Sequence, residues 1–147
     1  MNILKKLIVP MGLLPLLCAI STMAQITNAV TFVAPSAFYA GNAKMPAGSY
    51  RVTQPDPDTD LLLVEDTNGS HSVFVEFNVD SSGTTLHTQT DVTFNKYRNV
   101  EFLSTISVQG RKSEMQIVPS KFEEHTAKAA AAAAEKHSLS ARNAGPQ

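Results

Sequence analysis

The chain has one cysteine, Cys18, among 147 residues and no tryptophan. One thiol excludes an intrachain disulfide framework and a cysteine-rich zinc site. Positive charge is scarce too: 12 Lys+Arg face 13 Asp+Glu, a net of −1. That excludes the large positive charge on which typical nucleic-acid binders depend. No apolar run reaches the roughly 20 residues a membrane-spanning helix needs. Glycine-rich phosphate loops and a G-x-S-x-G nucleophile elbow are missing. The length fits one domain.

What is present first is a leader. Lys5 and Lys6 precede an uncharged apolar stretch at 7–20, interrupted by Pro10 and Pro15. Thr22 and Ala24 are small residues at the −3 and −1 positions of a cleavage site before Gln25. This is the tripartite export pattern, so residues 1–24 read as a signal peptide and the protein as periplasmic or secreted by a bacterium. A lipoprotein reading fails at Leu17, where a small residue belongs before Cys18. Removing 24 of 147 residues leaves 123, with ten Lys+Arg against 13 Asp+Glu, a net of −3. The mature chain then has no cysteine, so packing and hydrogen bonds alone must hold it.

The other end is alanine-rich. Pro119 precedes Ser120 and Glu123, an S-x-x-E capping box, and six alanines fill 129–134. Glu123 and Glu124 fall in the first turn, Lys136 and His137 in the last, matching the helix dipole. Alanine is the best helix former. These signals predict a helix over about 121–137, within an exposed segment at 120–138, and a disordered tail at 139–147. Phe122 is the one large apolar residue before Leu139, so little of the helix can dock.

Between the ends, at 26–119, the apolar period is two. Val30 and Phe32, Tyr50 and Val52, Val73 through Val79, Val92 and Phe94, and Val100, Phe102, Ile106 and Val108 alternate with mostly polar neighbours. Leu61 to Val64 is a short continuous apolar run, and Met115 and Ile117 close the set. Alternation marks strands with one buried face. Asn68-Gly69 predicts a tight hairpin whose two central residues take positive φ. Turns every 8–12 residues predict an all-β fold: an antiparallel sandwich or small barrel of about seven strands.

Phe38-Tyr39-Ala40-Gly41-Asn42-Ala43-Lys44-Met45-Pro46-Ala47-Gly48-Ser49-Tyr50-Arg51-Val52 reads F-x-x-G-x-x-x-x-P-A-G-x-Y-x-V. With Phe94-Asn95-Lys96-Tyr97, Phe102-Leu103-Ser104, Gly110-Arg111 and Pro119-Ser120, it resembles a group of small exported bacterial β-domain proteins of unknown function. The likeness covers roughly residues 30–123, and Ala37 departs from it, standing where an aromatic or acidic residue belongs. It implies a fold and an address, not an activity. Turn chemistry accounts for its core phrase: Pro46 fixes φ, Gly48 permits an unusual φ, and Tyr50 plugs the sheet face.

No catalytic, cofactor or metal residues are assigned. Asp56, Asp58 and Asp60 form D-x-D-x-D, but Leu61 occupies the sixth position, where a calcium loop needs glycine, and Thr67 the twelfth, where it needs Glu. His71 and His87 are the only β-domain histidines and lack ligand spacing. Glu65, Asp66 and Glu76 are carboxylates whose proximity spacing cannot decide.

The expectation is therefore an exported, non-catalytic β-domain. It would bind an envelope protein or surface polymer, or build the envelope, with a sheet edge able to accept a strand. The alternative is a small-ligand carrier, its apolar barrel cavity lined by Phe32, Phe38, Tyr50, Phe77, Phe94 and Phe102.

Overall fold

Alternation becomes burial strand by strand. In β4 (Gly48–Thr53) Tyr50 and Val52 turn inward and are wholly buried, while Arg51 turns outward. β5 (Leu61–Asp66) buries Leu62 and Val64 in the same way. The computed structural model describes residues 29–142. The expected leader at 1–24 with Cys18, and the last five residues of the expected tail, lie outside the described residues.

The fold is all-β with one C-terminal helix. Nine strands are formed: β1 (Val30–Ala34), β2 (Phe38–Ala40), β3 (Ala43–Met45), β4, β5, β6 (Ser72–Asp80), β7 (Asp91–Tyr97), β8 (Val100–Ser107) and β9 (Glu114–Ile117). They pair in the order β1-β4-β5-β6-β9-β8-β2-β3, with β7 on the other edge of β8. Ser72 to Glu76 of β6 pair with β5, and Phe77 to Asp80 pair with β9. One long strand thus carries the ladder from a β1-β4-β5-β6 layer into a layer built on β9, β8 and β7. Inward side chains of both layers share one core, including Val52, Leu62, Phe77, Leu103 and Ile106.

The count exceeds seven because the Phe38–Met45 segment makes its own hairpin. Phe38 pairs with Met45, Tyr39 with Lys44 and Ala40 with Ala43. Gly41, at φ +59°, makes the turn, a backbone region in which glycine carries no side-chain penalty. β2 also meets β8 in parallel at Tyr39 and Phe102, so the sheet is mixed rather than purely antiparallel. The ladder does not close: β1 and β7 have no pairing with each other.

Two local expectations change. Asn68 does not take positive φ; only Gly69 does, at +73°. Asp66 N–H donates to the His71 carbonyl and Gly69 N–H to the Asp66 carbonyl, which makes Thr67–Ser70 a four-residue loop. The Asp66 carboxylate accepts the Ser70 N–H at 2.7 Å and stabilises this longer turn.

The second change concerns Phe102. The β7–β8 ladder slips between Thr93 and Phe94, leaving Ser104 as an extra residue. A bulge reverses which face the following side chains take. Leu103 joins the core with Ile106, while Phe102 faces the opposite side. There it packs against Tyr39, Tyr97 and Phe122.

α1 (Lys121–Arg142) covers that outer aromatic group with its first turn. Ser120 Oγ accepts the Glu123 N–H at 3.1 Å, forming the expected cap. The helix continues through 139–142, where a disordered tail was expected; Leu139, Ala141 and Arg142 are all good helix formers. At 1.5 Å per residue its 22 residues extend about 33 Å. The ring contacts and hydrogen bond that join it to the sheet come from Phe122 and Glu123.

Candidate functional site

The residues singled out from the sequence stay apart. Asp56 turns its carboxylate back into its own loop, accepting the Asp58 N–H at 3.0 Å. Its carbonyl accepts the N–H and hydroxyl of Thr59. The Asp60 carbonyl accepts the Phe77 N–H. These bonds shape the β4–β5 connection. Among the described residues, no group of three or more His, Cys, Asp or Glu side chains could hold a metal ion.

His71 and His87 belong to separate loops. His71 Nδ1 lies 3.1 Å from Asp66 Oδ2 across the β5–β6 turn. The hydrogen bond from His71, helped by backbone N–H groups, holds the Asp66 carboxyl below its usual range. His87 uses its backbone: its N–H donates to the Arg111 carbonyl and its own carbonyl accepts the Gly110 N–H. Those two bonds fasten the 81–90 connection to the segment after β8.

The three carboxylates left open by spacing do not converge. Glu65 pairs with Arg51 on the neighbouring strand, and the Arg51 Nε donates at 3.0 Å. Asp66 takes His71 and Ser70, while Glu76 is exposed opposite Leu61. A different pair of acids does meet: Asp80 and Glu114 are register partners between β6 and β9. Like charges directly opposite repel. Gln116 Nε2 answers this by donating to Asp80 at 2.9 Å, and the Ser82 N–H binds the other Asp80 oxygen. The Ser82 bonds come first in holding the Asp80 carboxyl low. A cleft of about 180 Å³ beside them is lined by Gly83, Leu86, His87 and Lys112.

The P-A-G-x-Y phrase proves to be a core device. Tyr50 is fully buried, and its hydroxyl donates to the Pro46 carbonyl at 2.6 Å. A buried hydroxyl without that partner would cost about 1–3 kcal/mol. Burial, with the Asp66 charge as a lesser cause, pushes the Tyr50 hydroxyl pKa up. Phe38 meets Tyr50 edge-on with ring centroids 5.0 Å apart; Phe32 and Phe94 complete the group. Of the six aromatics expected around an interior cavity, Phe32, Phe38, Tyr50 and Phe94 fill the space with one another, Phe77 is buried in the core, and Phe102 lies outside it.

The feature left open by the pairing is an edge. β1 begins the ladder, and its far side has no strand partner. Phe32 on β1 reaches Phe94 on β7, ring centroids 5.9 Å apart, so side chains bridge the two layers where backbone does not. A cleft of about 370 Å³ lies at this seam, lined by Ala29, Val30, Thr31, Thr90, Val108 and Gln109. Val33, in the same strand, is 71% exposed. An unpaired strand presents a row of free N–H and C=O groups, a template for another strand.

Comparison with protein families, curated proteins and solved structures gives no match. No helix among the described residues is long and apolar enough to cross a membrane. The edge at β1 was not readable from the sequence, because being an edge depends on which distant strands pair. The uncharged stretch from Ala29 to Ala37 was its only local sign.

Proposed function

We propose that this protein is an exported, non-catalytic β-domain that binds or builds the cell envelope and takes its partner by strand addition at a free sheet edge. The export pattern at 1–24 supports the address, and the resemblance at 30–123 supports the kind of protein. The observation that carries the reading is the unpaired β1 edge with its exposed Val33. Strand addition gives affinity through main-chain hydrogen bonds and specificity through alternate side chains.

The test is photo-crosslinking in whole bacteria, with the reactive group placed at Val33 or, as a control, at the exposed loop residue Asp58. The expected result is a protein beginning at Gln25 in the envelope or periplasmic fraction, with a discrete adduct from position 33 and none from position 58. Retention of the chain in the cytoplasm overturns the address. Absence of any adduct from β1 overturns strand addition.

A further inference from the structure

The three terminal strands of the ladder differ in how they are guarded. β7 carries exposed Asp91 and Lys96, and β3 is three residues long with exposed Lys44. Charges and shortness are the usual protections of a free edge. β1 has five residues, Val-Thr-Phe-Val-Ala, with no charge and no internal proline. Four of the five are β-branched or aromatic, the residues that pair best in strands. Its only proline, Pro35, comes after the strand ends.

We infer that the β1 edge pairs with the β1 edge of a second copy of this chain, antiparallel about a two-fold axis at Phe32. This rests on the reading that a free edge is the binding element, and it names the occupant. The strand is self-complementary in that register. On the inner face Val30 would meet the partner's Ala34, a branched side chain opposite a small one, and Phe32 would meet its own mate. On the outer face Thr31 would meet the partner's Val33. No charged side chain faces another across the axis. On the adjoining strand, Arg51 is already paired with Glu65. Such an arrangement would join two β1-β4-β5-β6 layers into one continuous sheet, in the isologous pattern of most homodimers.

Two observations give the edge something to gain. Phe32 remains half-buried although its ring touches Phe38, Tyr50 and Phe94, because it lies on the ladder's last strand. Val33 is the most exposed of the large hydrophobic side chains among the described residues. A second β1 would cover both. The cleft beside Ala29, Val30 and Thr31 leaves that end of the edge open. One strand edge covers less than the standard protein interface, so the dimer would be weak and concentration-dependent.

Sedimentation velocity on the protein, expressed with its own leader and purified after export, tests this. The weight-average mass should rise toward that of a dimer with concentration. Val33→Lys points a charge outward from β1 and should weaken the dimer about tenfold or more, with unchanged circular dichroism and melting temperature. Thr93→Lys on the β7 edge should leave the association as it is. A Thr31→Cys/Val33→Cys double variant should give a covalent dimer on oxidation, reporting the register. A monomer at every concentration overturns the inference, as does a dimer indifferent to Val33→Lys. The whole-cell crosslink separates this from the functional reading. An adduct of twice the chain mass supports both. An adduct of other mass from position 33 leaves strand addition standing and overturns the second copy.

Discussion

Asn95 on β7 donates its side-chain amide to Glu123 of α1 at 3.0 Å, joining a strand and a helix 28 residues apart in sequence. Glu123 is 6% exposed, one of two buried polar residues, so this bond and the Ser120 cap govern how α1 leaves the sheet. Phe122 helps less than a core residue does. It is 42% exposed, whereas full burial of such a side chain contributes about 1.5–3 kcal/mol. Asn95→Ala strands a buried carboxylate, with a penalty of about 1–3 kcal/mol on helix docking. Hydrogen exchange should quicken in residues 121–126 while β4 and β5 keep their protection. Equal loss of protection in both regions would show instead that Asn95 supports the whole fold.

The β7–β8 hairpin offers a stabilising change. Tyr97 pairs with Val100 across a two-residue turn, and Arg98 there has φ +57°. Asn99 has no positive φ, so the turn follows the II′ pattern, whose first position favours glycine. A side chain held in this region costs about 1–2 kcal/mol, of which glycine's extra freedom when unfolded returns part. Arg98→Gly should therefore raise stability by about 1 kcal/mol, read as a higher denaturant midpoint with an unchanged slope. A lower midpoint would mean that the Arg98 side chain makes a contribution larger than its strain.

Period two was enough for β4, β5 and the inward residues of β6, because each side chain's face follows from its neighbours. It failed at Phe102 because one extra residue, Ser104, reverses the alternation, and the adjacent apolar pair Phe102-Leu103 was the local trace of that bulge. Val79 shares the parity of Val75 and Phe77 yet is 44% exposed, since it lies near the end of β6 beyond the shared core. The capping box and Tyr50 were legible because their partners, Glu123 with Ser120 and Pro46 with Tyr50, lie three and four residues away. The Asp80–Glu114 pair and the β1 edge were not, because long-range pairing creates them.

Gly83 is needed for space. A Cβ built there would fall 2.4 Å from the Lys112 carbonyl oxygen, a backbone atom that cannot swing aside. The 81–90 connection must therefore shift in Gly83→Ala, straining the bonds between His87 and the 110–111 backbone. Overpacking of this kind costs about 1–3 kcal/mol. Faster exchange at the His87 and Gly110 amides should accompany the lower stability. Gly83→Ala with wild-type exchange would show that the backbone near Lys112 yields easily.

Acid should find its first target at the β5–β6 turn. The His71 hydrogen bond, followed in effect by the Ser70 and His71 backbone N–H groups, holds Asp66 below its ordinary carboxylate pKa in the folded state. A folded pKa below the unfolded one means that the unfolded chain binds the proton more readily. The stabilisation is then present above the unfolded carboxylate value and is lost as pH falls through the depressed folded value. Asp66→Asn should flatten this part of the acid limb of stability against pH, and His71→Gln should flatten it partly. Because Asp66 is on the surface, added salt should reduce its coulombic share more than the share from neutral backbone donors. An acid limb identical in wild type and Asp66→Asn would remove Asp66 as its source. The limb would then belong to other carboxylates held low in the fold: Asp80 by the Ser82 bonds, and Glu101 first by the Ser36 hydroxyl and then by Lys96.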